Sequence, residues 1–383
     1  MTLSDNAVLF YHKRTPRALL QQFAGAEQIC VDRLEREMLR GHERRPIVLA
    51  LPNALLADAT NVCRQTNCAD VRVLAADSGY ECEPIRVDVS KPRMDYLEIE
   101  LATVCNLHCR GCCNFIQLAE QERPFYDLQN FIRDMERIKE FFWGIEKIRL
   151  LGGEPLLIRH IADFAEQTRR VFLDADLRIV TNGLLIPSLP TDTLDRLQKC
   201  GCCFDISNYP PTARRKKEIL PVLRQAGIPF DVGFPVRFFL KNVSEKPSGD
   251  QKSAFDNCMF THCHMLSEGG ILTPCSFAFC TRRFNRHFGT DYPESDYVDL
   301  HSTNLDGWQI MDWMTNPHLF CGCCTSGMVP VRWRDGVRAA DAQPGDWIIP
   351  KNIWTDRLVP FVQRLWMPTA KTMRRLIQSN KKV

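Results

Sequence analysis

The chain has 383 residues, 45% hydrophobic and 25% charged, with 49 Lys and Arg against 46 Asp and Glu and a net charge of +3. These proportions exclude a disordered chain, a collagen and a coiled coil, and a charge so balanced gives no sign of a nucleic-acid surface. The length is about two and a half times a typical domain, so two or three domains are expected. Cysteine is the outlier, with 18 residues. The first residues include Asp5, Asn6, His12, Lys13 and Arg14 without a long apolar run, so no signal peptide is read there. Reduced, cytoplasmic thiols are therefore expected, some of them on metal. No stretch reaches the roughly 18 apolar residues of a membrane span. Ile47–Ala57 comes nearest, and Pro52 and Asn53 interrupt it.

Residues 1–92 read as a small α/β domain and linker. Strands are expected at Ala7–Tyr11, Pro46–Leu51 and Val71–Ala75, and helices over Pro16–Arg40 and Ala54–Gln65. The alternation predicts a parallel sheet. No glycine-rich phosphate loop follows a strand, which favours a structural or docking role over nucleotide binding. Asp77–Pro92, with Gly79, Pro84 and Pro92, reads as the linker.

Residues 93–246 carry a longer alternation. Strands are expected at Tyr96–Leu101, Lys147–Leu151, Leu177–Thr181, Phe204–Ser207 and Phe230–Gly233. Helices are expected at Tyr126–Ile145, Ile161–Val171, Thr193–Lys199 and Thr212–Gln225. In the first helix Leu128, Phe131, Ile132, Met135, Ile138, Phe142 and Ile145 recur every three or four residues. Five or six βα units predict a partial barrel with its chemistry at the carboxyl ends of the strands. From residue 247 to 345 the periodicity fails and cysteines crowd into Cys258–Cys280 and Cys321–Cys324, as in a metal-organised, irregular domain. Residues 346–383 form a basic tail with Trp347, Trp354 and Trp366. It reads as a helix packed on the core or, less favoured, a membrane-surface segment.

The sharpest motif is Cys105-x3-Cys109-x2-Cys112, directly after a strand. Three thiolates on one tight loop hold three irons of a [4Fe–4S] cube and leave the fourth open to a ligand. Zinc sites prefer paired C-x2-C knuckles and a closed shell. Cys113 is adjacent but not needed for this spacing, and is given a structural role. Gly152-Gly153-Glu154-Pro155, Thr181-Asn182-Gly183 and Asp205-Ile206-Ser207-Asn208 end the next three strands.

On these four motifs the segment Arg93–Val236 resembles the radical S-adenosylmethionine (SAM) superfamily. The resemblance implies a partial (β/α)6 barrel and a [4Fe–4S] cluster on Cys105, Cys109 and Cys112. It also implies SAM held by Gly152, Gly153, Glu154, Asn182, Ser207 and Asn208, with the amino group at the glycine-glycine-glutamate segment. SAM would be cleaved reductively to a radical that takes a hydrogen atom from substrate, with electrons from a flavodoxin or ferredoxin. One departure is Gly111, where many members carry an aromatic residue near the adenine. Phe115 and residues around Phe234 are the replacements considered.

Cys258, Cys275, Cys321 and Cys324 are separated by 16, 45 and 2 residues, and Gly270 precedes Cys275 by five positions. The pattern resembles a SPASM or twitch extension and implies one auxiliary [4Fe–4S] cluster on these four. Cys263, Cys280 and Cys323 compete for the same roles, and zinc is the alternative metal. Cys200, Cys202 and Cys203, like Cys30, Cys63, Cys68 and Cys82, are read as structural thiols. Arg214–Lys217 is read as a solvated helix face rather than an anion grip. The substrate expected is a small molecule or glycan, with a carbohydrate or glycan precursor favoured because the motifs resemble radical SAM proteins of polysaccharide biosynthesis. A peptide or protein maturase and a non-catalytic iron–sulfur or zinc scaffold are the rivals. The paired glycines and Glu154 beside the open-site motif disfavour the scaffold.

Overall fold

The computed structural model describes residues 7–75, 84–245, 249–258, 260–261 and 263–349. The first sheet is built from β1 (Val8–Tyr11), α1 (Arg17–Gln21), β2 (Glu27–Cys30), β3 (Ile47–Leu51), α2 (Asn53–Gln65), β4 (Val71–Ala75) and β5 (Ile85–Val87), in strand order β2-β1-β3-β4-β5. The first four strands are parallel, and β5 closes one edge antiparallel. The long helix expected over Pro16–Arg40 is corrected to α1, a strand and a 3-10 turn at Arg36–Leu39. Pairing decides it: Glu27–Cys30 covers the otherwise open edge of β1, with Cys30 opposite Tyr11. β5 falls inside the stretch read as linker. Residues 77–83 of that stretch, with Cys82, lie outside the described residues.

The second unit runs β6 (Arg93–Ala102), α3 (Leu128–Phe141), β7 (Gly144–Gly152), α4 (Ile161–Val171), β8 (Asp176–Thr181), α5 (Thr191–Lys199), β9 (Cys203–Ile206), α6 (Pro210–Gln225) and β10 (Phe230–Val232). Its strands pair in parallel, each with the next in sequence, so the ends of β6, β7, β8 and β9 share one rim. Asp127 caps α3 by accepting from the backbone N–H groups of Gln129 and Asn130. The apolar stripe of α3 buries Phe131, Met135 and Ile138 against Leu97, Ile99 and Phe164 in one core. The helix stops at Phe141, short of the expected Ile145, because Trp143 N–H turns to Pro92 O and Ile145 pairs with Met94 in β7. The Arg214–Lys217 run lies on the outer face of α6, where Arg215 pairs with Glu218.

The remaining elements are β11 (Phe238–Ser244), α7 (Gln251–Asp256), β12 (Met265–Ser267), β13 (Ile271–Thr273), α8 (Ser276–Phe288), β14 (Val298–Asp299), α9 (Gly307–Met314), β15 (Cys324–Arg332) and β16 (Ile348–Ile349). β12 lies parallel beside β6, and β13 and β14 extend it into an eight-stranded sheet ordered β10-β9-β8-β7-β6-β12-β13-β14. The cysteine-rich segment therefore shares a sheet with the barrel strands. β11 leaves that sheet and pairs with β15 and β16. Gly269 and Gly270, both at positive φ, turn the β12–β13 hairpin, and their N–H groups donate to the buried Asp134 carboxylate of α3 at 2.8 and 2.9 Å. Of the tail, Trp347 is buried and stacks on Phe115, with centroids 5.8 Å apart. Trp354 and Trp366 lie outside the described residues. Among the described residues no helix is long and apolar enough to cross a membrane.

One buried charge fastens α8 to the barrel. Arg283, with 0% of its side chain exposed, donates to both oxygens of Glu100 on β6 at 2.8 and 2.7 Å. It also reaches Glu122 Oε2 at 2.7 and 3.0 Å and Asn114 O at 2.7 Å. Removing one partner of a buried pair strands the other charges and typically costs about 3–5 kcal/mol. Arg283→Ala should therefore lower the unfolding free energy by about that amount in urea titrations followed by tryptophan fluorescence. A loss below about 1 kcal/mol, the scale of an exposed pair, would contradict the role of this node.

Candidate functional site

The cysteine loop leaves β6 and folds over the rim. Cys105, Cys109 and Cys112 all line one cavity of about 290 Å³, together with Gly152, Gly153, Thr181, Asn182 and Ser207. All four strand-end motifs thus meet at one place. Burial pushes the Cys105 thiol up to about 12 and Cys109 higher still, so these groups ionise on binding a cation rather than alone.

The paired glycines serve the loop itself. A Cβ on Gly152 would lie 2.2 Å from Ala102 O, and one on Gly153 would lie 2.1 Å from Val104 O. Gly153 N–H donates to Ala102 O at 2.6 Å and Glu154 N–H to Val104 O at 2.9 Å. The end of β7 and the start of the cysteine loop are therefore in backbone contact, which any side chain would part. Glu154 is placed differently from the expectation of a carboxylate presented to an ammonium. It is fully buried, it is not part of the cavity wall, and its oxygens accept from Leu156 N–H, Thr181 Oγ1 and Asn182 N–H at 3.1, 2.7 and 2.9 Å. Burial raises its pKa to about 7 against these bonds. The carboxylate braces the end of β8 from behind.

That brace positions Asn182. Its side chain donates to Asn106 Oδ1 at 2.6 Å and lies 3.9 Å from Cys105 Sγ, while its Oδ1 accepts from Leu184 N–H. Ser207 faces the cavity, but Asn208 does not line it. Asn208 Nδ2 donates to Gly233 O at 3.1 Å, which ties β9 to the end of β10. Neither adenine candidate sits in the wall either: Phe115 packs in the core among Phe277, Phe284 and Trp347, and Phe234 is 89% exposed. Tyr209 is the aromatic ring of the wall beside the cysteines, stacked on Trp333.

Sequence reasoning missed the partners that clamp the loop from the carboxyl-terminal side. Trp333 Nε1 donates to Cys109 Sγ at 3.3 Å, and Trp347 Nε1 donates to Cys112 O at 2.9 Å. His108 N–H meets Asp335 Oδ1 at 2.7 Å, Arg110 N–H meets Arg334 O at 2.7 Å, and Arg110 Nε meets Asp346 Oδ1 at 2.5 Å. Gly111 follows from this clamp: its φ is +68°, and a Cβ there would come within 2.6 Å of Asp346 O.

A second, smaller cavity of about 30 Å³ is lined by Cys258, Cys275, Cys321 and Cys324 within a mostly apolar wall of Ala254, Phe255, Pro274 and Phe320. The hairpin brings Cys275 beside Cys258, and the 3-10 turn at Leu319–Cys323 supplies Cys321, whose Sγ accepts from His318 N–H at 3.4 Å. None of the three rivals lines this cavity. Cys263 lines the first cavity, Cys280 is buried 3.6 Å from Arg283, and Cys323 lies in an apolar cluster. Phe260 and Phe277 belong to both cavities and form the partition between them, with ring centroids 5.3 Å apart.

Neither thiol set is preassembled as a tight single-ion site. A tetrahedral zinc with bonds of about 2.3 Å holds its sulfurs about 3.8 Å apart. Among the described residues no three sulfurs of either set lie within 4.8 Å of one another. The one grouping that tight among the described residues is Cys203, Asp205 and Asp231, and Arg178 already pairs with both of its carboxylates.

Two substitutions check the inner wall. Glu154→Ala leaves three buried donors unpaired, each worth about 1–3 kcal/mol, so SAM affinity by equilibrium dialysis should fall at least about tenfold with the iron content unchanged. Unchanged affinity would show that the brace does not position the binding groups. Trp333→Phe removes the hydrogen bond to Cys109 Sγ, and were that sulfur to hold a cluster, such a bond would raise its potential. An EPR-monitored redox titration should show a more negative midpoint, and an unaltered midpoint would contradict the contact.

Comparison with known proteins agrees with the motifs. Residues 99–232 match the profile of the Radical SAM superfamily. The GTP 3',8-cyclase of Crocosphaera subtropica is 36% identical over 106 residues, covering 26% of this chain and 30% of that protein. The GTP 3',8-cyclase of Aliarcobacter butzleri is 30% identical over 172 residues, covering 40% of this chain and 49% of that protein. The chain thus matches half or less of these relatives' length. Among solved structures, native anSMEcpe with bound AdoMet superposes with a TM-score of 0.41 at 11% identity, covering 61% of this chain and 83% of that one. BtrN in complex with AdoMet and 2-DOIA superposes with a TM-score of 0.35 at 14% identity, covering 68% and 100%. Radical SAM domains use a [4Fe–4S] cluster and SAM, and the chain carries such a domain over residues 99–232.

Proposed function

We propose that the protein is a radical SAM enzyme whose Cys105, Cys109 and Cys112 hold the SAM-binding [4Fe–4S] cluster. The convergence of these thiols with Gly152, Gly153, Asn182 and Ser207 on one cavity is the observation that carries the reading. When bound, the cluster and SAM supply a carbon radical that abstracts hydrogen from an unactivated C–H bond. The chain's own residues do the rest. Asn182, fixed by Glu154 and Asn106, presents polar groups at the rim. The clamp from Trp333 to Trp347 covers the cysteine loop and limits water, which protects a reactive species from side reactions.

In the same reading Cys258, Cys275, Cys321 and Cys324 hold one auxiliary cluster of the SPASM or twitch kind, and no iron of it is left open. The Phe260–Phe277 partition supports a role in electron transfer, since the second site is close to the first yet walled from it. An external flavodoxin or ferredoxin supplies electrons. The substrate is a small molecule, for which we favour a carbohydrate or glycan precursor over a peptide.

Anaerobic reconstitution should give about eight irons per chain, two [4Fe–4S] clusters. Ala at Cys105, Cys109 and Cys112 should remove about half of the iron and all formation of 5′-deoxyadenosine from SAM and dithionite. Ala at Cys258, Cys275, Cys321 and Cys324 should remove the other half and leave uncoupled SAM cleavage. SAM cleavage that survives loss of the first three cysteines would refute the assignment.

A further inference from the structure

Beyond the residues the reading above uses, the first cavity's wall includes Glu98, Arg149, Cys263 and Ser276, with Ser207 common to both sets. The barrel contributes Glu98 of β6, Arg149 of β7 and Ser207 after β9, and the cysteine-rich segment contributes Cys263 and Ser276. Arg149 is the one Lys, Arg or His among the described residues lining the cavity. Its charge is already matched. Arg149 Nε donates to Asp205 Oδ2 at 3.1 Å, and its Nη1 donates to Glu98 Oε1 at 3.2 Å and to Tyr96 Oη at 2.7 Å. Tyr96 Oη in turn donates to Glu98 Oε1 at 2.7 Å. Asp205 is shared with Arg178, so no spare cation lies behind the wall at this point.

A phosphate entering here would meet a single cation, Arg149, already paired with Glu98 and Asp205, and the carboxylate of Glu98 beside it. Juxtaposed like charges cost several kcal/mol at such surfaces, which is discrimination against anions. Hydroxyl groups meet a different wall. The Ser207 and Ser276 hydroxyls, the Glu98 carboxyl and the Cys263 thiol are all short polar groups able to exchange hydrogen bonds with neutral donors and acceptors. Phe260 and Phe277 add an apolar face of the kind that covers the C–H surface of a ring.

We infer that the part of the substrate entering this cavity is an uncharged, hydroxyl-bearing ring, a sugar without phosphate, recognised by Glu98, Arg149, Ser207, Cys263 and Ser276. The inference rests on the radical SAM reading and narrows it. It separates this cavity from one built for a nucleoside triphosphate, the substrate class named in its GTP-cyclase relatives. Cys263 becomes a specificity-determining wall residue instead of a spare cluster ligand.

The test is equilibrium dialysis of the reconstituted, SAM-loaded protein against glucose, glucose 6-phosphate and GTP. Glucose should bind saturably, and both anions at least about tenfold more weakly. Glu98→Gln, which releases part of the Arg149 charge, should narrow the gap between glucose and glucose 6-phosphate by about threefold, the scale of a partly exposed ion pair. Tighter binding of either anion than of glucose, no saturable binding of glucose, or an unaltered gap in Glu98→Gln would overturn the inference. Formation of 5′-deoxyadenosine by the same preparation is scored separately. If it persists, the enzyme reading stands although the substrate class fails, and if it is absent, the enzyme reading fails first.

Discussion

Arg283 is the constraint on which the arrangement of both cavities depends. A guanidinium cannot shed its proton inside a protein, so a fully buried one must be surrounded by acceptors. Glu100 from β6 and Glu122 from the loop after it meet that need, with Asn114 O as a third acceptor. The same contacts fix three things at once: the first barrel strand, the loop just beyond Cys112, and the helix that begins at Cys275. A shift of α8 by an ångström would either unpair a buried charge or carry Cys275 away from Cys258. Such coupling converts one electrostatic requirement into the relative placement of two thiol sets.

The second constraint comes from the carboxyl-terminal stretch. Residues 333–347 cross the cysteine loop and satisfy its backbone at His108, Arg110 and Cys112. The Trp333 N–H at Cys109 Sγ and the Trp347 ring on Phe115 make the same stretch part of the cysteine loop's surroundings. This accounts for Gly111 without reference to adenine: the crossing chain occupies the space a side chain would need. It also explains why a loop rich in unpaired polar backbone stays ordered at the rim of the barrel.

How far the sequence reveals this depends on whether the cause is local. The barrel was legible because its strands and helices announce themselves by period, as in the α3 stripe through Phe131, Met135 and Ile138. The cysteine loop was legible because three thiolates at fixed spacing is itself a geometric statement. The choice of Cys258, Cys275, Cys321 and Cys324 followed from the resemblance to SPASM and twitch extensions, and these four line one cavity while Cys263, Cys280 and Cys323 do not. Other features have no local signature. Pro16–Arg40 has helical composition, but the edge of β1 draws Glu27–Cys30 into the sheet. Glu154 is an apt partner for an ammonium by chemistry, yet three donors from neighbouring strand ends claim it first. Trp333 and Asp346 reach the cysteine loop across more than two hundred residues, and nothing in their own neighbourhoods marks the contact. The Glu98–Arg149–Asp205 network is likewise invisible until the four parallel strands β6 to β9 are laid side by side in register.

The central proposal is two iron–sulfur centres, separated by the Phe260–Phe277 partition and served by two distinct sets of cysteines. Anomalous diffraction from crystals of the reconstituted protein, collected on both sides of the iron and zinc absorption edges, tests it most directly. The account predicts two iron peaks, one among Cys105, Cys109 and Cys112 and one among Cys258, Cys275, Cys321 and Cys324, with the two phenyl rings between them. A single iron peak, or a zinc peak at the second position, would contradict it.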